Sequence, residues 1–207
     1  MSFEGFHSED FEIFELEGFA ERMGSLRQSV KPKLIALGAE LVAPLSKTLG
    51  ETLYPHVAQH LRRTVNPPVE TWVAFAREKR AYKPFVHVRA TIREECVRVL
   101  VFVEDYADEK EAFANHLMAN AEPFSELFAK HPEILAYDIP DANGKPSKGA
   151  TLTPETLTAF AERLRRVKGQ HAVFGIPIPK ARAVKAGGDL PERIVKSVKI
   201  LKPLYCL

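Results

Sequence analysis

The segment FVHVRATIREECVRVLVFV, residues 85–103, decides the fold of this 207-residue chain. Apolar residues recur at every second position on both sides of Glu94-Glu95, and a period of two is typical of strands. Two strands joined by a two-residue turn form an antiparallel hairpin. Residues opposite each other in such a hairpin share a face of the sheet. The spacing predicts three pairs: Arg93 with Cys96, Thr91 with Arg98, and Arg89 with Leu100.

The two faces of this hairpin differ in chemistry. One face is almost entirely β-branched and must be buried; it consists of Val86, Val88, Ala90, Ile92, Val97, Val99, Val101 and Val103. The other face carries His87, Arg89, Thr91, Arg93, Arg98, Leu100 and Phe102. The alternation therefore predicts a sheet with a core side and a basic side.

Further elements flank the hairpin on both sides. Strand patterns occur at TWVAFA (71–76), ILAYDI (134–139) and HAVFGIPI (171–178), and residues 138–150 form a loop rich in Gly, Pro and Asn. Helical spacing runs from Phe19 to about Leu49, with a break or a kink expected near Pro32 and Pro44. It returns after Asp108, after Thr153-Pro154 and over 189–201. This order predicts a single α+β domain over residues 1–207, with a mainly antiparallel sheet flanked by N-terminal and C-terminal helices.

The segment PHVAQHLRR, residues 55–63, predicts a short helix that Asn66-Pro67-Pro68 ends. His56 and His60 would then share one helix face, with Arg63 close to it. That geometry suits a metal or an anion, but no third ligand has a recognisable spacing, so no metal site is predicted. Two alternatives stay open, namely packing of the histidines and a buried ion pair between Arg63 and the acidic N-terminus.

Composition favours a cytoplasmic protein without membrane association. The N-terminus has no signal-like segment, and no run of about 18 apolar residues is present. Cys96 and Cys206 form no CxxC pair, so free thiols in a reducing compartment are expected, and Cys96 is predicted to be an inert packing residue. No cofactor motif is present either, and none is predicted.

Charge is unevenly distributed along the chain, although the net charge is only +2. Residues 1–21 contain seven acids and no Lys or Arg, whereas residues 56–89 contain seven bases and two acids. Residues 145–207 contain thirteen bases and four acids. Such segregation either attracts an anionic partner or lets the acidic start of the chain dock on the basic remainder.

The loop REKRAYKP, residues 77–84, places Lys79, Arg80 and Lys83 around Tyr82 and follows closely on Trp72. Basic residues beside aromatic ones are what a groove for single-stranded nucleic acid uses. An ordinary solvated turn and a core-filling tryptophan remain the alternatives.

His87 is the best candidate for general acid–base chemistry, because imidazole titrates near neutrality. Its neighbour Arg89 would lower the pKa of that imidazole. No nucleophile elbow, phosphate-binding glycine loop or dinucleotide fingerprint accompanies His87. A catalytic mechanism therefore cannot be assembled from the sequence.

Three blocks resemble a known family: FHSEDFEIFELEGFAERM (6–23), HVAQHLRRTVNPPVETWVAFAREKRAYK (56–83) and His87. The chain resembles the YktB-like proteins of Gram-positive bacteria, whose function is unknown, and the resemblance implies a single cytosolic α+β domain. It also implies site residues at His56, His60, Arg63, Asn66, Pro67, Pro68, Trp72, Phe75, Lys79, Arg80, Tyr82, Lys83 and His87. Glu70 and Ala81 depart from the family pattern, and Ala81 bears on the turn near Arg80.

These observations predict a non-catalytic module that binds an anionic partner, such as single-stranded nucleic acid, on the basic sheet face. The predicted binding residues are His56, His60, Arg63, Asn66, Trp72, Lys79, Arg80, Tyr82, Lys83, His87 and Arg89. The alternative is a small enzyme acting on a phosphorylated or carboxylated metabolite, with His87 as acid/base and Arg63 and Lys83 clamping the anion. A third hypothesis is an interaction protein whose charges only close its own fold. The oligomeric state is not defined by the sequence.

Overall fold

Seven strands form one sheet in the computed structural model, which describes residues 2–61 and 63–205. Arg62 and Cys206 therefore lie outside the described residues. The strand order is β1-β2-β3-β4-β7-β5-β6, and all of these pairings are antiparallel. The strands are β1 (Tyr54–Val57), β2 (Glu70–Ala76), β3 (His87–Arg93), β4 (Cys96–Val103), β5 (Leu135–Pro140), β6 (Pro146–Lys148) and β7 (Ala172–Pro179).

The predicted hairpin register is confirmed. Arg93 pairs with Cys96, Thr91 with Arg98 and Arg89 with Leu100. The β-branched face is buried throughout, from Val86 and Val88 to Val101 and Val103. This face belongs to one hydrophobic core.

Helices from the N-terminal, middle and C-terminal parts of the chain pack on that core. They are α1 (Ser8–Glu12), α2 (Phe19–Ser25), α3 (Lys31–Leu49), α4 (Lys110–Ala119), α5 (Ala121–Lys130), α6 (Pro154–Arg166), α7 (Lys180–Ala186) and α8 (Leu190–Tyr205). Each contributes buried side chains to the core, as Leu37 of α3, Phe113 of α4 and Ile194 of α8 illustrate. The α+β fold with an antiparallel sheet and N- and C-terminal helices is confirmed.

The long N-terminal helical segment is interrupted once. A π-helical turn, Leu26–Val30, joins α2 to α3, and Pro32 follows in the first turn of α3. Proline has no amide proton to donate, and such a residue inside a helix is accommodated where the hydrogen-bond ladder is irregular. Pro44 lies inside α3 without ending it, and the helix continues to Leu49. The break expected near Pro32 thus takes the form of the π-helical turn.

The predicted helix over residues 55–63 is wrong. Tyr54–Val57 is instead strand β1, which pairs with Val73–Ala76 of β2. Pro55 fits this position because β1 is an edge strand, where a missing amide proton costs no ladder hydrogen bond. The chain then turns away, and His60 adopts a left-handed conformation with φ +52°. His56 and His60 therefore do not share a helix face. The predicted loop at 138–150 also contains the end of β5 and the short edge strand β6.

The acidic start of the chain does dock on the remainder. Asp10 forms an ion pair with Lys33 of α3, and Glu12 forms one with Lys180 at the start of α7. The backbone amide of Phe3 donates to Glu40 at 2.6 Å. Within residues 2–61 and 63–205, none of the helices combines the length and apolar character needed to cross a membrane.

Candidate functional site

The sheet face opposite the core carries a cluster of rings and guanidinium groups, which we call the aromatic face. Strand register places on it His56, Trp72, Ala74, His87, Arg89, Thr91, Arg98, Leu100, Phe102 and Val173. Tyr137 of β5 and Tyr82 of the loop between β2 and β3 contact it. Its buried apolar members Ala74, Leu100 and Val173 do not belong to the main core. The aromatic face is therefore packed by its own side chains and by loops.

Arg89 lies at the centre of the aromatic face and is only 3% exposed. Its guanidinium pairs with the carboxylate of Glu104, and its carbon Cζ lies 3.6 Å from the centroid of the Phe102 ring. The rings of Trp72 and Tyr82 have centroids 4.7 and 5.5 Å from the same carbon. Burial lowers the pKa of Arg89, but arginine stays protonated in proteins. The predicted basic side thus exists, but its central cation is buried and neutralised.

His87 is fully buried beside Arg89 and has both ring nitrogens occupied. Nδ1 lies 2.8 Å from the carbonyl oxygen of Phe85, and Nε2 accepts a hydrogen bond from Arg89 Nε at 2.8 Å. Nδ1 therefore carries the proton and the imidazole is neutral. Burial, with the nearby Arg89 charge, holds the pKa of His87 well below its ordinary value. This arrangement orients Arg89 and leaves no free nitrogen for acid–base work.

Three half-buried rings, Trp72, Tyr82 and Phe102, leave part of their surface to solvent around Arg89. Trp72 Nε1 donates to the Tyr82 hydroxyl at 3.2 Å, which fixes the loop over the sheet. The Tyr82 ring also lies 5.0 Å from His87, measured between centroids. Trp72 and Tyr82 are both among the predicted binding residues, and the structure brings these two side chains together.

The two histidines of the 55–63 segment lie in separate environments. His56 Nε2 is 2.8 Å from the carbonyl of Glu78, and burial lowers the pKa of His56. His60 Nε2 is 3.0 Å from Thr71 Oγ1, and its ring stands edge-on to Trp72 at 5.4 Å. Burial, together with Arg63, lowers the pKa of His60 to about 4. Both histidines serve as packing and hydrogen-bonding residues at the margin of the aromatic face.

The remaining predicted binding residues lie at the periphery. Arg63 and Asn66 are exposed, and Arg63 Nη1 lies 3.5 Å from the Asn66 carbonyl. Lys79 and Arg80 are exposed in the loop beside Tyr82, and Lys83 is half-buried there. In the part of the chain that the structure describes, no ion pair with an acid is seen for Arg63. The alternative hypothesis, a buried ion pair between Arg63 and the acidic N-terminus, therefore has no support.

Sequence analysis missed the residues that complete the aromatic face. Glu104 neutralises Arg89, Glu70 pairs with Arg98, and the Tyr137 ring lies 4.8 Å from Arg98 Cζ. Burial raises the pKa of Tyr137 to about 12, so its hydroxyl keeps its proton. The sequence could have indicated that Glu104 lies on the aromatic face, because Leu100, Phe102 and Glu104 follow one another at every second position.

Glu104, Asp105 and His171 offer the one arrangement of metal-ligand types seen among the described residues. One ligand atom from each lies within 4.8 Å of the others. Glu104 is already bonded to Arg89, and His171 Nδ1 accepts the Asp105 backbone amide at 3.1 Å. Two of the three ligand groups are therefore engaged. Cys96 is half-buried, and burial raises the pKa of its thiol, which keeps it protonated.

A family model and several known proteins match the chain over nearly its whole length. A family model described as a domain of unknown function (DUF1054) covers residues 6–205. A UPF0637 protein of Shouchella clausii (strain KSM-K16) is 35% identical over all of this chain and 96% of its own length. UPF0637 proteins of Bacillus thuringiensis (strain Al Hakam) and Bacillus cereus (strain AH820) are 32% identical, covering all of this chain and 99% of their own.

Proposed function

Since the chain belongs to the family described as a domain of unknown function (DUF1054), we propose that its aromatic face binds single-stranded nucleic acid without catalysis. The membership also confirms the resemblance to the YktB-like proteins. The observation that carries the proposal is the group of partly exposed rings of Trp72, Tyr82 and Phe102 around a fixed guanidinium.

Stacking would supply the first part of the binding energy. Every base has a π-face, and stacking on an aromatic side chain contributes about 1–3 kcal/mol per base. One common RNA-recognition module binds two or three bases in this way, by stacking them on aromatic side chains of a four-stranded sheet. Hydrogen bonds from Trp72 to Tyr82 and from Arg89 to His87 hold the rings and the cation in place. A single-stranded nucleic acid would therefore bind to a preorganised surface.

Phosphate contacts would come from the loop rather than from the sheet. Arg89 is paired with Glu104 and Arg98 with Glu70, so these buried cations offer little net charge. Lys79, Arg80 and Lys83 form no ion pair with any acid in the described part of the chain, and they flank Tyr82. Basic side chains beside a stacking platform are the arrangement that neutralises a single-stranded backbone.

The alternative of a small enzyme with His87 as acid/base is less well supported. Both nitrogens of His87 are hydrogen-bonded, and the ring is fully buried. A general base must reach the substrate proton directly or through one water. The hypothesis that the charges only close the fold explains the two buried ion pairs, but not the exposed loop bases or the partly exposed rings.

Titration with oligouridylate, followed by the fluorescence of Trp72, tests the proposal, because Trp72 is the single tryptophan of the chain. We expect quenching on binding, and weaker binding at physiological than at low salt. The variant Lys79→Ala/Arg80→Ala should lower the slope of log affinity against log salt by about 1.4, or about 0.7 for each lost phosphate contact.

The matched control is Lys196→Ala/Lys199→Ala, which removes the same charge from exposed positions of α8, a helix that packs on the core side. Its salt slope should equal that of the unmodified protein. No binding at low salt would overturn the proposal. An equal loss in both variants would show that net charge, and not the loop, attracts the strand.

A further inference from the structure

A row of side chains crosses the aromatic face beside Arg89. Trp72 of β2 is opposite Thr91 of β3, which is opposite Arg98 of β4. Directly opposed residues of antiparallel strands have Cβ atoms about 4.5–5.5 Å apart. The ring of Tyr137 lies against Arg98 at the far end. The row therefore places a hydroxyl and a guanidinium between two aromatic rings.

Two polar atoms of this row are buried without a hydrogen-bond partner. They are Thr91 Oγ1 and Arg98 Nε. Thr91 is 0% exposed and Arg98 is 9% exposed. An unsatisfied buried polar group costs about 1–3 kcal/mol, and in native proteins the large majority of buried polar groups have a hydrogen-bond partner. Both atoms can donate, so both are suited to an acceptor oxygen supplied by a ligand.

Glu70 adds an acceptor at the same place. Its carboxylate pairs with Arg98 Nη2, and the Glu70 side chain is 24% exposed. An ionised carboxylate only accepts hydrogen bonds and has several lone-pair sites, so Glu70 can accept an N–H from a ligand as well. Trp72 and Tyr137 are also partly exposed, so solvent reaches the two ends of the row, while the two donor atoms between them are buried. Two donors and one acceptor thus lie side by side.

We propose that Glu70, Thr91 and Arg98, between Trp72 and Tyr137, form a pocket that selects keto bases: uracil, thymine or guanine. This inference rests on the proposed function. A keto base presents a carbonyl oxygen next to a ring N–H. The carbonyl accepts from Thr91 Oγ and Arg98 Nε, and the ring N–H donates to the Glu70 carboxylate. The base stacks on Trp72 while its edge satisfies both unpartnered atoms.

Amino bases fit the same groups poorly. Cytosine and adenine present an amino group beside a ring nitrogen that carries a lone pair and no hydrogen. The amino hydrogens then oppose the Arg98 N–H, and the lone pair opposes the carboxylate. A good pair of hydrogen bonds to a base edge discriminates by about 1–3 kcal/mol, so we expect about tenfold or greater preference for the keto base.

The test compares oligouridylate with oligocytidylate of equal length, followed by Trp72 fluorescence. The two strands share a backbone and differ in the chemistry at C4 and N3 of each base. Oligouridylate should bind about tenfold more tightly. The variant Thr91→Val keeps the shape and removes the unpartnered hydroxyl, so it should fold normally, lower the uridylate affinity and leave the cytidylate affinity unchanged.

Thr71→Val is the matched control, since the Thr71 hydroxyl lies 3.0 Å from His60 Nε2 and alternation places it on the core side. The preference for uridylate should persist in this variant. Equal affinity for both strands would overturn the keto pocket, leave the proposed function standing and mean that water satisfies the row. Failure of both strands to bind would overturn the pocket and the proposed function together.

Discussion

Replacing Glu104 by glutamine removes the only carboxylate that pairs with the buried Arg89 among the described residues. The side chains of Arg89 and Glu104 are 4% and 9% exposed. Removing one partner of such a pair leaves an uncompensated buried charge and costs about 3–5 kcal/mol. Arg89 keeps His87 Nε2 and three ring faces, so we expect the lower value, about 3 kcal/mol.

Thermal unfolding gives the magnitude a direct readout. In a chain of this size, a change of 1 kcal/mol shifts Tm by about 2–4 °C, so Glu104→Gln should lower Tm by about 6–12 °C. The control is Glu111→Gln, which breaks the exposed pair between Glu111 and Arg165. Exposed pairs contribute about 0–1 kcal/mol, so this variant should unfold close to the unmodified protein.

A double variant separates the lost pair from general damage. Arg89→Met/Glu104→Leu removes both charges and keeps similar volume, and it should recover most of the stability lost in Glu104→Gln. If Glu104→Gln costs less than about 1 kcal/mol, Arg89 has access to water or to another anion. That result would refute the description of Arg89 as a desolvated cation on the aromatic face.

Two further predictions concern stability. Because the pKa of His87 is depressed in the folded protein, the unfolded chain binds more protons below about pH 6.5, and stability falls as pH drops. His87→Gln should make this fall shallower by up to about 1.4 kcal/mol per pH unit in urea unfolding between about pH 5 and 7, and an unchanged slope would contradict a neutral buried imidazole. A Cβ on Gly175 would lie 2.5 Å from the Val99 carbonyl oxygen and closer still to Leu100, so Gly175→Ala should cost about 1–3 kcal/mol. Gly24→Ala, on an open helix surface, should instead stabilise by about 0.5–1 kcal/mol, and similar Tm values for the two variants would exclude the clash.

The hairpin could be predicted from sequence because its register depends only on local alternation and a short turn. Residues 55–63 could not, because a four-residue edge strand has no periodicity of its own. Tyr54–Val57 is a strand only because Val73–Ala76 lies beside it. The regular spacing of His56 and His60 was compatible with a helix, and nothing local contradicted that prediction.

The chemistry of the aromatic face was only half accessible from sequence. Alternation placed His87, Arg89 and Arg98 together, but it could not show that carboxylates would neutralise the two arginines. Tyr137 reaches Arg98 only because β5 joins the sheet next to β7, which itself pairs with β4. These pairings connect distant parts of the chain. The sequence therefore predicted an open basic surface, whereas the folded chain has a neutralised, ring-lined one with its free cations in the adjacent loop.

The two edge strands of the sheet affect how readily the protein self-associates at high concentration. β1 has an exposed proline, Pro55, and β6 is three residues long, with exposed Pro146 and Lys148. Prolines, charges and short length at an edge deny an incoming strand a continuous ladder of donors and acceptors. Fibril growth and edge-to-edge polymerisation are thereby discouraged on both flanks. The molecule can keep a ring-bearing face outside its core without becoming a template for its own aggregation.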